Sequence, residues 1–333
     1  MPPKNNLVHV MLPLLVIAVV LASGCARRDR PPLPNITENA TEFGPGDYSL
    51  SMEYVGFTRA YIAHVSSLYD GSRPLPLIIA LHGGTGTGGD MIELTQAGLN
   101  KLADKEGFAV VYPDGIEGHW NDGRDVSSYR VQREDIDDVG FISALIDDMG
   151  RKLKIDSKRV YATGISNGAM MSNRLGCDLA GKITAIAPVA GAMPEKIAPA
   201  CSPGRPVPVM SINGIDDPQV PWEGGKVVVL GKDLGGVLSP VDTVRLWARN
   251  SGCSETPDVS YVADRDPEDG TRVRKEVYTG CQGGSEVVHY VVEGGGHTWP
   301  GGWQYLPEGF VGKTNRDIDA NQVIWEFFKR HSL

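Results

Sequence analysis

The stretch Arg159-Val160-Tyr161-Ala162-Thr163-Gly164-Ile165-Ser166-Asn167-Gly168-Ala169-Met170-Met171 decides the fold. Its first half is β-branched and aromatic in alternation, as a strand is. It stops at Gly164-Ile165-Ser166-Asn167-Gly168 and continues in helix-forming residues. A strand, a tight turn and a helix in that order are the context of a nucleophile elbow. The glycines have a physical task there, because a Cβ at Gly164 or Gly168 would collide with the neighbouring strand or helix. Such a turn lifts the Ser166 hydroxyl above the sheet. It also aims the Asn167 backbone N–H at the place where an oxyanion would form. In a chain with 41 glycines the five-residue pattern alone is weak, so its surroundings decide.

Working outward, Pro76 to Leu81 is a continuous apolar run, which predicts a strand buried on both faces of a parallel sheet. It runs into His82-Gly83-Gly84-Thr85-Gly86-Thr87-Gly88-Gly89. That loop lacks the Lys-Ser/Thr of a phosphate-binding loop and the acidic partner of a dinucleotide fold. Its better reading is an oxyanion loop, with the N–H of Gly84, or of Thr85 beside it, as second donor. His82 reads as structural. Ile92 to Glu106 predicts one amphipathic helix and Phe108 to Tyr112 another buried strand. Trp120, in the loop Gly118 to Gly123, is a candidate substrate wall or, equally, a loop anchor. Asp137 and Asp138 fit a helix start better than acid–base work.

After the elbow, the helix is expected to run to about Leu179, with strands at Ile183 to Val189 and Pro206 to Ile212. The latter ends in Asn213-Gly214-Ile215-Asp216-Asp217-Pro218-Gln219-Val220-Pro221-Trp222, which places an acid just past a strand. Helices are expected at Val241 to Asn250 and Ile318 to His331, and strands at Arg272 to Thr279 and Glu286 to Glu293. The acidic run Asp264 to Gly270 reads as a solvated hairpin turn, because its spacing does not match a calcium loop. Gly294-Gly295-Gly296-His297-Thr298-Trp299-Pro300-Gly301-Gly302 follows the last strand. Of the three histidines after Ser166, His289 lies inside a strand and His331 in the terminal residues. His297 alone sits in a loop able to reach a serine. The order Ser166…Asp217…His297 is that of an α/β-hydrolase.

The rest of the chain sets boundaries. The 333 residues carry a net charge of −9 without a basic stripe, which argues against nucleic acid. Residues 1–24 read as an export signal, with Lys4 ahead of an interrupted apolar run. Leu21-Ala22-Ser23-Gly24-Cys25 resembles a lipobox, which would make Cys25 a lipidation site and the membrane a partner. Free secretion and an uncleaved anchor are the alternatives. Residues 25–46 read as a flexible tether, and 47–333 as the catalytic domain. The four remaining cysteines favour two disulfides that close local loops, Cys177 with Cys201 and Cys253 with Cys281. No cofactor or metal is called for.

From about Gly56 onward the chain resembles the polyhydroxybutyrate depolymerase-like and feruloyl esterase branch of the α/β-hydrolases, in the first carbohydrate-esterase family. The resemblance rests on Leu81-His82-Gly83-Gly84, Tyr112-Pro113-Asp114-Gly115, Asp137 to Phe141, Gly164 to Gly168, Asp217 to Trp222 and Gly296 to Gly302. Two positions depart from it. Gly84 stands where a cysteine is frequent, and Asn213-Gly214-Ile215 where His-Gly-Thr is usual.

The resemblance implies an α/β-hydrolase fold with a mostly parallel sheet and no large lid. It implies an extracytoplasmic serine esterase in which Ser166 attacks, His297 is the base and Asp217, rather than Asp216, is the acid. Trp120, Trp222 and Trp299 are the candidates to line an open cleft, with bracing of the His297 loop as the other reading of Trp299. A serine peptidase and a non-catalytic surface lipoprotein on the same fold are the competing readings. The natural ester and the oligomeric state stay open.

Overall fold

The computed structural model describes residues 36–38, for which the backbone alone is described, and residues 43–333. The expected export signal, the lipobox-like end and Cys25 lie outside the described residues.

The chain begins with strands β1 (Ile36–Glu38), β2 (Gly46–Tyr54), β3 (Phe57–Val65) and β4 (Leu75–Leu81), followed by helices α1 (Gly88–Leu94) and α2 (Gly98–Glu106). Next come β5 (Ala109–Pro113), α3 (Arg130–Arg133), α4 (Asp138–Lys152), β6 (Ile155–Ile165), α5 (Asn167–Asp178), β7 (Ala185–Val189) and β8 (Val209–Gly214). A hairpin of β9 (Gly225–Val229) and β10 (Lys232–Val237) precedes α6 (Pro240–Asn250), β11 (Asp258–Tyr261), β12 (Arg272–Tyr278) and β13 (Val287–Glu293). Short α7 (Glu308–Val311) and α8 (Ala320–Phe328) close the chain.

One sheet has the order β1-β2-β3-β5-β4-β6-β7-β8-β13-β12-β11. The strands from β5 through β4, β6, β7 and β8 to β13 all run parallel. All seven residues of β4 are buried, because helices cover both faces of the sheet, as the unbroken apolar run requires. On one face, Phe141, Leu145 and Met149 of α4 pack with Met171 and Leu175 of α5 and Trp247 of α6. On the other, Met91 and Ile92 of α1 and Leu99 of α2 meet Ile324, Trp325, Phe327 and Phe328 of α8. Closure of the C-terminus is aromatic. Trp325 stacks on Phe108 at 4.1 Å between ring centres, and Phe328 on Tyr161 at 4.6 Å. Each such side chain, fully buried, contributes about 1.5–3 kcal/mol.

Both expected disulfides are present, Cys177–Cys201 and Cys253–Cys281. The acidic run Asp264 to Gly270 does join two antiparallel strands, β11 and β12. Three expectations need correction. The single helix over Ile92 to Glu106 is two, broken where Gln96 and Ala97 take φ of 54° and 52°. The break accepts α8, since Asn321 Nδ2 donates to Thr95 O at 3.3 Å and a Cβ at Gly98 would overlap that amide. The stretch read as a tether contains β1, which pairs in parallel with β2. The β9–β10 hairpin has no counterpart in the sequence reading. Its two-residue loop, Leu230 and Gly231, has φ of 49° and 76°, which suits the twist of a hairpin. Val227, Leu234 and Val237 of the hairpin bury themselves against Val126, Met170 and Val220. Among the described residues no helix is long and apolar enough to cross a membrane.

Candidate active site

Strand β6 ends and α5 begins at Ser166, whose φ and ψ are 57° and −119°. A side chain is rarely held there, and the strain is sustained by close packing on every side. A Cβ at Gly164 would stand 2.6 Å from the Leu81 carbonyl oxygen, and one at Gly168 2.3 Å from the same atom. The elbow is therefore pressed onto the end of β4, as the glycines led us to expect. The Ser166 N–H donates to Val189 O at 3.0 Å, which fixes the turn to the end of β7. The N–H groups of Asn167 and Gly84 donate to no acceptor among the described residues. Gly83 adjoins the serine, since a Cβ built there would lie 3.4 Å from Ser166 Cβ. Thr85 has a different fate. Its N–H is occupied by Gly118 O at 2.8 Å, so of the two expected second donors only Gly84 is open.

Because β8 and β13 are parallel neighbours, the loops that follow them emerge on the same sheet edge as the elbow. Their backbones touch. Asp216 N donates to Gly295 O at 2.9 Å, and a Cβ at Gly214 would sit 2.3 Å from that same oxygen. His297 Nδ1 lies 2.7 Å from Asp217 Oδ2, with both side chains 3% exposed. A carboxylate only accepts, so Nδ1 carries the proton of this hydrogen bond, which leaves Nε2 as the proton acceptor of the neutral ring. Asp217 Oδ1 is held by the N–H groups of Gln219 at 2.8 Å and Val220 at 2.9 Å. Tyr305 donates from its hydroxyl to His297 O at 2.9 Å. Burial first, and the Asp217 charge second, push the Tyr305 phenol well above its usual range, so it stays a donor. Asp216 is exposed.

Asn213, the departure in the acid loop, acquires a role here. Its Nδ2 donates to Gly191 O at 3.1 Å and its Oδ1 accepts from Ser211 Oγ at 2.6 Å. It thereby ties the end of β8 to the turn after β7, against which Ser166 rests.

His82 is structural, as read. Gly115 N–H donates to its Nε2 at 2.9 Å, so Nδ1 bears the proton and donates to Gly83 O at 2.7 Å. Burial lowers its pKa and keeps the ring neutral. The three tryptophans part company. Trp120 and Trp299 are 0% exposed and offer no surface to a ligand. Trp120 Nε1 donates to His82 O at 3.0 Å, and Trp299 belongs to the apolar core. Only Trp222 is part-exposed, stacked on His289 at 5.9 Å with the rings 11° apart.

The sequence did not announce the polar cluster behind the elbow. Asp122 pairs with Arg124 at 2.9 Å, both buried, and accepts from Asn167 Nδ2 at 2.6 Å and Gln132 Nε2 at 3.0 Å. Arg124 Nη1 continues to Leu234 O of the hairpin at 2.9 Å. With the Arg124 backbone N–H at 3.0 Å, this buried carboxylate accepts four hydrogen bonds, one of them from the guanidinium, and is compensated. The neighbouring pair Asp137 and Asp138 divides its work. Asp137 Oδ1 caps α4 by accepting from Gly140 N at 2.7 Å, whereas Asp138 is buried and bonded to Arg59 Nη2 at 2.7 Å. Burial raises the Asp138 pKa against the pull of Arg59.

The chain is similar to known esterases. The family described as esterase PHB depolymerase matches residues 66–206. The chain is 33% identical over 283 residues to a putative esterase, NocK, of Nocardia uniformis subsp. tsuyamanensis, covering 82% of this chain and 79% of the relative. It is 31% identical over 256 residues to feruloyl esterase B of Piromyces equi, covering 75% of this chain but only 45% of that longer protein. A probable feruloyl esterase C of Aspergillus terreus is 28% identical over 322 residues, which is 95% of this chain and 93% of the relative. Among solved structures, an acetyl xylan esterase from Aspergillus awamori superposes with a TM-score of 0.51 at 16% identity, covering 72% of this chain and 89% of that one. At that identity the likeness speaks for the α/β-hydrolase fold. The matching family and the NocK relative together mean that the chain belongs to the esterase PHB depolymerase family, and that it is a carboxylic ester hydrolase.

Proposed function

We propose that the protein is an extracytoplasmic serine esterase that works through an acyl-enzyme. Ser166 attacks the ester carbonyl as His297 Nε2 takes its proton. Asp217 holds the imidazole in the required tautomer and stabilises its cation. The N–H groups of Asn167 and Gly84 receive the oxyanion. His297 then returns the proton to the leaving alcohol, and a water activated by the same ring releases the acid. One observation carries the reading. The 2.7 Å bond between His297 and Asp217 stands on the sheet edge where β6 delivers a strained serine. Ser166 and His297 follow strands three positions apart, a span of about 14 Å that the loops after β8 and β13 must lean across.

The substrate class we favour is a soluble ester of a short or hydroxycinnamoyl acid, on an alcohol that includes polysaccharide hydroxyls. Feruloyl and acetyl xylan esterases among the relatives support this, as does the part-exposed Trp222. Location outside the cytoplasm is supported by the apolar N-terminal run and by the two disulfides, which persist in oxidising compartments. A lipid on Cys25 would anchor it there. The test combines three measurements. A fluorophosphonate should label the wild type at one site and fail to label Ser166→Ala. Turnover should appear on p-nitrophenyl acetate and methyl ferulate. Cys25→Ser should move the activity from membranes to the soluble fraction. Labelling that persists in Ser166→Ala would overturn the nucleophile assignment.

A further inference from the structure

The two oxyanion donors come from different segments, Gly84 from the loop after β4 and Asn167 from the start of α5. Their spacing must be held to a few tenths of an ångström, because a donor displaced by about 1 Å costs about a hundredfold in rate. The hydrogen bonds that reach both segments converge on the buried Trp120. Its backbone N–H donates to Asn167 Oδ1 at 2.8 Å, and its carbonyl accepts from Asn167 Nδ2 at 3.2 Å. This is a two-point clamp on the residue whose own N–H faces the oxyanion. Its indole Nε1–H donates to His82 O at 3.0 Å, two residues before the other donor. The indole and the His82 ring lie 4.9 Å apart. The same loop grips the glycine segment twice more, through Thr85 N to Gly118 O at 2.8 Å and Gly115 N to His82 Nε2 at 2.9 Å. Asp122 and Gln132 hold the clamp from behind, since Asp122 takes Asn167 Nδ2 and Gln132 Nε2 donates to Trp120 O at 3.2 Å.

We infer that Trp120 is a positioning residue of the esterase. It sets the distance between the Gly84 and Asn167 donors and touches no substrate itself. The inference rests on the proposed serine mechanism. It differs from a packing role in one respect: the ring volume matters for stability, whereas the Nε1–H matters for the oxyanion. Trp120→Phe retains most of the volume and loses the donor. Replacement by 3-benzothienylalanine keeps the bicyclic shape and loses the donor alone.

In both variants kcat should fall about 10- to 100-fold, short of the ~10²–10³ lost when an oxyanion donor is deleted outright. KM for p-nitrophenyl acetate should change less than twofold. The rate of inactivation by a p-nitrophenyl alkylphosphonate, whose oxygen takes the oxyanion position, should fall in parallel with kcat. Ser166→Ala is run alongside. If Ser166→Ala is inactive while the benzothienyl variant keeps wild-type kcat and phosphonate reactivity, the positioning role is wrong and the mechanism stands. If Ser166→Ala retains turnover, the mechanism itself fails. Should Trp120→Phe not fold, the benzothienyl variant decides. A rise in KM with unchanged kcat would also overturn the inference, by returning Trp120 to substrate contact.

Discussion

His297 Nδ1 and Asp217 Oδ2 are 2.7 Å apart, and the second oxygen of that carboxylate is locked by the N–H groups of Gln219 and Val220. The carboxylate therefore cannot swing away from the ring. Replacing Asp217 by Asn presents an N–H where the ring needs an acceptor and favours the wrong tautomer. We expect kcat to fall about 10⁴-fold, the size of the loss when a triad acid becomes an amide. Asp216→Asn alters an exposed side chain and should stay within about threefold of wild type. Steady-state rates on p-nitrophenyl acetate check both. A reversal of the two effects would move the acid to Asp216.

Ser166 stores backbone strain at φ of 57°, and a Cβ in that region costs about 1–3 kcal/mol. Ser166→Ala keeps the Cβ and the strain. Ser166→Gly loses both, offset by about 0.5–1 kcal/mol of extra chain entropy in the unfolded state. Both variants should lose at least about 10³-fold in turnover. The glycine variant should nonetheless be the more stable by about 1 kcal/mol in urea titration. A glycine variant less stable than the alanine one by about 0.5–1 kcal/mol, the bare entropy cost, would mean that the turn carries no strain.

A pH effect follows from the C-terminal clamp. The His331 ring and the Arg330 guanidinium, whose Nη2 lies 2.6 Å from Glu286 Oε2, lower the Glu286 pKa from 4.5 to about 2. In the folded state this carboxyl ionises more readily than in the unfolded chain. Its stabilising contribution is complete above pH about 4.5 and is lost as the pH falls toward about 2. Glu286 is half-buried, so solvent screening reduces the effect. Glu286→Gln should lower the melting temperature at pH 7 and leave it unchanged at pH 2. A Tm difference that persists at pH 2 would assign the clamp to packing.

The sequence was legible where a local pattern has one physical solution. The apolar run of β4 reads as a doubly covered strand, and Gly164 and Gly168, set between a strand and a helix, mark an elbow pressed on the end of β4. His297 followed by elimination, because a histidine inside β13 cannot swing to a serine. What stayed hidden depends on tertiary partners. Trp120 looked like a substrate wall because nothing local reveals that its indole is bonded to the His82 carbonyl. Asp122 and Gln132 are ten residues apart and meet only after the loop folds back. The β9–β10 hairpin turns on Leu230-Gly231, where a leucine at positive φ runs against the usual turn residues. The split of Ile92 to Glu106 is imposed by Asn321, more than two hundred residues away.

Trp222 and Trp299 follow Asp217 and His297 of the proposed triad, and burial separates the roles we propose for them. Trp299 is 0% exposed and packs in the core two residues beyond His297, so it braces the histidine loop. Trp222 is part-exposed, five residues beyond Asp217, with its ring parallel to that of His289. An aromatic contact is worth about 0.5–1.5 kcal/mol beyond the area it buries. Trp222→Ala should therefore raise KM for methyl ferulate about 2- to 12-fold more than KM for p-nitrophenyl acetate, with kcat little altered. Trp299→Phe removes packing beneath His297 and should lower kcat on both esters by the same factor, leaving the ratio of the two KM values unchanged. Measuring both variants on both substrates separates the roles. A ferulate-selective KM effect in Trp299→Phe, with none in Trp222→Ala, would reverse the assignment and require the histidine loop to open when substrate binds.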